Sequence, residues 1–210
     1  MKTIADIIGS QKCVAVFASG PSLLKMEDWE VRAVKEKCFT VFLNYAMSRF
    51  GPDEMDVLAF GDWKVSRWLS EGNLKPGISL WVTESAFQGG EPGIIRMVAE
   101  RSGAWIKSSR GNFTLTNVLH DLRDMVPDRR IILFGVDMKV EPEAVKWYDN
   151  YTDEDKKARK TSDHTMCFEA QTRELALVDK KMVWNCNSDS ALDVFEKAEW
   201  RDVVSGMVFV

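Results

Sequence analysis

The sequence predicts an α/β fold, with a mostly parallel twisted sheet flanked by helices. Three observations predict it. Short apolar, β-branched runs recur along the chain, with the continuous hydrophobicity of strands buried on both faces. Helix-like segments lie between them, the alternation expected of βαβ construction. Small and polar residues gather where the runs end, and an open parallel sheet receives its ligands beyond those ends.

The first strand is expected at residues 13–18 (CVAVFA) and the second at 39–43. Others follow at 56–60 and 78–83, with a weaker one at 104–107, a strong one at 130–136 and the last at 181–185. Helices are expected at 23–37, 65–70, 114–125 and 167–179. A short one at 191–195 would be begun by Ser188 or Ser190. The helix at 114–125 carries Leu115, Val118, Leu119, Leu122 and Met125 on one stripe, a helical period. The helix at 167–179 brings Phe168, Leu175 and Val178 inward. Residues 141–163 break the pattern: they are highly charged, hold aromatics and lack a long apolar stripe. They read as a solvated surface excursion or as a lid.

The chain has 210 residues, 45% of them hydrophobic and 29% charged, with net charge −4. That suits one domain spanning 1–210, with the excursion inside it. Basic and acidic residues are interspersed, so nucleic acid is not indicated as a partner. The four cysteines, Cys13, Cys38, Cys167 and Cys186, form no Cys-x-x-Cys pair and read as reduced and mostly buried. With only two histidines, no metal site is expected. The first residues lack the apolar core of a signal peptide, and no run approaches the ~20 apolar residues of a membrane span. A cytoplasmic protein is expected. Nothing in the sequence fixes the oligomeric state, and an oligomer is compatible with it.

Strand ends supply the candidate site. The first run ends in Ser19-Gly20-Pro21-Ser22, the second in Asn44, the third in Gly61-Asp62-Trp63 and the strong one in Gly135-Val136-Asp137. Gly111-Asn112 stands before the amphipathic helix. Ser19, Gly20, Pro21, Ser22, Asn44, Asp62, Gly111, Asn112 and Asp137 are therefore the candidate residues of a polar binding crevice, with a nucleotide's phosphate expected at the first turn. The first turn has a mechanism. Gly20 lets backbone approach a ligand closely. Pro21 suits the first position of a helix. The amides after it, with the helix dipole, favour an anion, and Ser22 adds a hydroxyl. The alternative is a plain strand-to-helix turn capped by Ser. The turn is neither a dinucleotide fingerprint nor a P-loop, because the required glycines and lysine are missing.

His120 lies off the stripe of its helix and reads as a surface or half-buried residue. His164 stands at the exit of the excursion, just before a helix. It can titrate near neutrality and act as general base, or serve only as a helix-entry residue. Trp147, Tyr148 and Tyr151 either meet a phosphate or base, or anchor the excursion to the core.

The order of these motifs resembles the bacterial sialyltransferases of glycosyltransferase family 42. It resembles still more the uncharacterised, often phage-encoded proteins related to them. The motifs that carry the likeness are Ser19-Gly20-Pro21-Ser22-Leu23 and Arg130-Ile131-Ile132-Leu133-Phe134-Gly135-Val136-Asp137-Met138, with a strand-end Asn and a late His. The resemblance runs from Val14 to about Trp200. It implies a metal-independent transferase with a Rossmann-like, variant GT-A fold and a lid. It requires no cofactor; its substrates are a nucleotide-sugar donor of the cytidine monophosphate type and a hydroxyl acceptor. By this likeness Gly20, Pro21, Ser22 and Asn44 hold the cytidine monophosphate part, and Gly111-Asn112 faces the nucleotide or sugar. Tyr148 and Tyr151 hold the donor phosphate, and His164 is the general base. The chain departs from the family at Ser19, where Asn is usual, and at Phe113, where a small residue is expected. A non-catalytic nucleotide- or sugar-binding protein, such as a phage accessory protein, is therefore the competing expectation. A Rossmann-type oxidoreductase is a further one, opposed by the missing glycines and by Asn44 in place of an acidic residue.

Overall fold

A computed structural model describes residues 4–48, 50–74, 78–83, 86, 93, 96, 98, 105–107, 113–139 and 161–207. The helices are α1 (Ile4–Ile8), α2 (Asp28–Lys37), α3 (Trp63–Trp68), α4 (Thr114–Met125), α5 (Thr161–Leu175) and α6 (Trp200–Ser205). The strands are β1 (Cys13–Phe17), β2 (Phe39–Leu43), β3 (Val57–Phe60), β4 (Ser79–Thr83), β5 (Trp105–Lys107), β6 (Arg130–Phe134), β7 (Val183–Asn185) and β8 (Glu196–Lys197). They form one sheet in the order β5-β4-β3-β2-β1-β6-β7-β8, with every pairing parallel. This is a Rossmann-like α/β arrangement. The order runs away from β1 in both directions, so the topological switch lies between β1 and β6.

Continuous apolar runs make these strands because both faces are covered. On one face Cys13, Ala15, Phe17, Phe42, Phe60 and Phe134 pack with Val31 and Val34 of α2, Val65 of α3 and Trp200 of α6. On the other, Val14, Val16, Val41, Ile131 and Leu133 pack with Leu115, Val118, Leu119 and Leu122 of α4 and with Leu175 of α5. Burial of each large apolar side chain contributes about 1.5–3 kcal/mol. Near the carboxyl ends of the strands, the Phe17 ring stacks between Phe42 at 4.4 Å and Phe134 at 4.8 Å. Three neighbouring strands are thus tied together just below the edge where ligands bind in such sheets.

All four cysteines are free. Cys13 and Cys38 are buried, and their mutual hydrogen bond with burial pushes the Cys13 thiol up, so it stays protonated. Cys186 is half-buried, whereas Cys167 is exposed on α5, against the expectation of burial.

Several elements depart from the sequence reading. The helix expected at 23–37 is two pieces. Pro21–Lys25 form a 3₁₀ turn, Met26 is extended, and α2 begins only at Asp28. The Glu27 N–H donates to Glu30 Oε2 at 3.3 Å, closing the start of α2 from its own sequence. No α-helix follows Gly20 directly. Residues 191–195 form no helix, because the Ala191 N–H donates to the Asp137 carbonyl at 2.9 Å and holds the chain across the end of β6. The α5 helix starts at Thr161 rather than at 167, so His164 and Asp163 lie inside its first turn and not before it. The weak strand appears as β5, whereas α6 and the short edge strand β8 were not foreseen. Residues 141–160 of the charged excursion lie outside the described residues.

Candidate functional site

The ends of β3, β2, β1 and β6 stand side by side along one edge of the sheet. Asp62, Asn44, Gly20 and Asp137 follow these strands, so the topology gathers four candidate positions from distant parts of the sequence.

At the switch, the ends of β1 and β6 continue to pair beyond the strands. The Ala18 N–H donates to Phe134 O and the Gly20 N–H to Gly135 O, both at 2.8 Å. Here the two glycines are required by contact. A Cβ on Gly20 would collide with Asp137 Oδ2 and the Gly135 carbonyl, and one on Gly135 would collide with the Ala18 carbonyl. Gly135 also has φ of 67°, which favours glycine.

Asp137 fastens this crossing. Its Oδ2 accepts from the Ser22 N–H at 3.1 Å and its Oδ1 from Asn187 Nδ2 at 2.6 Å. Its carbonyl accepts from Ala191 N–H, and the Ser190 hydroxyl donates to the Val136 carbonyl. Fully buried Asn185, the last residue of β7, holds Asn187 N–H on its Oδ1 at 3.2 Å. The three strand ends β1, β6 and β7 are therefore one hydrogen-bonded knot. The anion-favouring amide of Ser22 is already met by a carboxylate of the same chain, and that of Gly20 by a carbonyl.

The end of β2 is built differently. Asn44 has φ of 50°, a left-handed backbone that Asn tolerates better than most residues. Its Oδ1 accepts a hydrogen bond from the Thr114 hydroxyl, the first residue of α4, at 3.4 Å. Its side-chain amide has no partner among the described residues. The twelve-residue α4 begins here, with its dipole favouring an anion beside Asn44. Asp62, at the end of β3, is occupied otherwise. Its Oδ1 accepts from the Lys64 N–H at 2.9 Å and caps α3.

Comparison with protein-family models, curated proteins and solved structures finds no match. Geometry alone sorts the candidate residues. Gly20, Pro21, Ser22 and Asp137 come together at the knot, with Ser19 leading into it. Asn44 meets the start of α4, and Asp62 caps a neighbouring helix. Gly111, Asn112, Tyr148 and Tyr151 lie outside the described residues. The backbone of His164 is in the first turn of α5. Eleven positions on, Leu175 of the same helix is buried in the core. His120 is half-buried on α4, as its place off the stripe implied.

Asn185, Asn187 and Ser190 were missed. Their signal was present in the run Asn185-Cys186-Asn187-Ser188-Asp189-Ser190, small and polar residues at a strand end like those singled out elsewhere. Among the described residues, no group of His, Cys, Asp and Glu is arranged to hold a metal. No helix there is long and apolar enough to cross a membrane.

Proposed function

We propose that this chain is a glycosyltransferase-like protein of the variant GT-A type that takes a cytidine-monophosphate-linked sugar at the edge between β2 and α4. The observation that carries the reading is the Asn44–Thr114 pair. A left-handed Asn whose side-chain amide has no partner among the described residues stands at the start of a twelve-residue helix, one strand from the switch. Asn44 would read the nucleotide, and the dipole of α4 would favour its phosphate. His164 would accept the proton of the acceptor hydroxyl as its oxygen attacks the anomeric carbon. The bond from that carbon to the phosphate oxygen breaks, and its electron pair leaves with the nucleotide. Tyr148 and Tyr151 would hold the departing phosphate. The Gly20 and Ser22 amides are engaged within the chain, so their part is to fix the edge rather than to bind phosphate. The four free cysteines fit a reducing compartment, in keeping with a cytoplasmic protein.

Thermal shift with cytidine monophosphate is the first test. At a hundredfold excess over the dissociation constant, binding adds about 2.7 kcal/mol of stability, or ~5–10 °C for a chain of this size. Release of free sugar from the donor, with and without acceptors, then tests catalysis. His164→Ala is expected to lower turnover about 10²- to 10⁴-fold while leaving nucleotide affinity unchanged. Wild-type turnover in that variant refutes the assignment. A second reading, a non-catalytic nucleotide- or sugar-binding protein, is favoured by the engaged amides at the first turn. Nucleotide binding without any donor turnover would select it.

A further inference from the structure

On the opposite side of the sheet from α4 and α5, under the Pro21–Lys25 turn, lies a hollow of about 220 Å³. Leu23, Met26, Phe134 and Trp200 give it apolar walls. Its charged lining is three carboxylates, Glu30, Asp189 and Glu199, against the one ammonium of Lys25. Asp189 is paired with Lys25 at 3.7 Å, and Glu30 with Arg201 at 3.3 Å. Glu199 has no ion-pair partner among the described residues. Its field reaches inside, because Glu199, after burial, is a cause that pushes the thiol of Cys186, another lining residue, upward. Ser22 also lines the hollow, and its Oγ is buried with no hydrogen-bond partner among the described residues.

We propose that this hollow is a second binding site, for a compact organic cation: an ammonium or guanidinium on a short apolar stem. Glu199 takes the charge, and the apolar stem lies against Trp200, Phe134 and Met26. The site is separate from the edge between β2 and α4. It touches the knot through Ser22 and Asn187, the two residues whose nitrogens hold Asp137. Such a cation has two sources, a free amine or guanidine and the side chain of a Lys or Arg in another protein.

The test is a titration of the full chain with n-butylammonium and butylguanidinium chloride, followed by NMR at the Trp200 indole and the Ser22 amide. Neutral 1-butanol is the control. For probes this small, binding in about the millimolar range is expected, with 1-butanol at least tenfold weaker. Glu199→Gln weakens the cations three- to tenfold (about 0.7–1.4 kcal/mol) and leaves cytidine monophosphate binding untouched. Because Glu199 is exposed, the variant keeps its fold. A blocked Gly-Lys-Gly peptide that binds more tightly than butylammonium identifies a protein-borne side chain, and the reverse order identifies a free amine. No saturable shift up to about 20 mM cation, equal binding of 1-butanol, or an unchanged affinity in Glu199→Gln overturns the proposal. Cytidine monophosphate binding is read separately, so failure here and failure of the transferase reading are distinguishable.

Discussion

The strand ends on either side of β1 are finished in opposite ways. Each carries a non-glycine residue in left-handed backbone, Met138 beyond β6 and Asn44 beyond β2. Beyond β6 the polar groups are consumed internally, by Asp137, Asn187, Ser190 and the amides they hold. Beyond β2, among the described residues, the Asn44 side chain meets only the Thr114 hydroxyl, through one long hydrogen bond. A polar strand end therefore has two uses, and residue type does not separate them. Where donors and acceptors meet their own chain, the end is a fastening. Where they are left over, it is the place proposed above for the nucleotide.

The largest effect that would test this contrast is at Gly20. Gly20→Ala forces a methyl group against a backbone carbonyl and the Asp137 carboxylate, so a loss of at least about 3 kcal/mol in urea unfolding is expected, the upper end for overpacking. A loss under about 1 kcal/mol would mean the crossing is loose. Asp137→Ala comes next. It strands the Ser22 and Asn187 donors of two charge-assisted hydrogen bonds, and a loss of about 2–3 kcal/mol is expected. If its stability is unchanged while cytidine monophosphate affinity collapses, the knot is a ligand site and the comparison reverses.

Asn44→Gly sharpens the other side. Glycine accepts the left-handed backbone, so stability should stay within about 0.5 kcal/mol of wild type. Cytidine monophosphate affinity, read by calorimetry, should fall about tenfold, or ~1.4 kcal/mol. Equal affinity removes Asn44 from the site.

The smallest effect is a control away from this edge of the sheet. Arg123, itself buried, donates to Asp179 Oδ2 at 2.8 Å and holds that carboxyl below its ordinary value. The folded pKa is the lower one. The stabilisation is therefore present above the unfolded value, 3.8, and is lost as pH falls through the folded value. Asp179 is largely exposed, so the contribution stays under about 1 kcal/mol. The gap in Tm between wild type and Asp179→Asn should be open at about pH 7 and close below about pH 4. A gap that is the same at both pH values rejects the pair as its source.

Much of the fold was legible because parallel strands announce themselves. The runs at 39–43 and 114–125 became β2 and α4 with those bounds, since buried apolar continuity and a helical stripe are local signals. What failed was decided over distance. Residues 191–195 looked helical, but carbonyls more than fifty positions upstream claim the Ser190 hydroxyl and the Ala191 amide. The Ser19-Gly20-Pro21-Ser22 turn looked ready for a phosphate, but a carboxylate at residue 137 meets the Ser22 amide. Nothing near residue 20 announces that partner. The break at Met26 was partly readable, because Glu27 and Glu30 have the spacing of a helix start. The gathering of Asp62, Asn44, Gly20 and Asp137 on one edge followed from strand order. Which of them still offers a bonding group did not.

The parallel order has a consequence for biosynthesis. Strand β1 is made more than a hundred residues before one of its two neighbours, β6, whose first residue is Arg130. Until those residues are made, the central strand of the sheet is an edge, apolar on both faces and open to pairing with other chains. Nascent chains halted before Arg130 should therefore be the forms that aggregate and engage chaperones, and release past Phe134 should end that exposure.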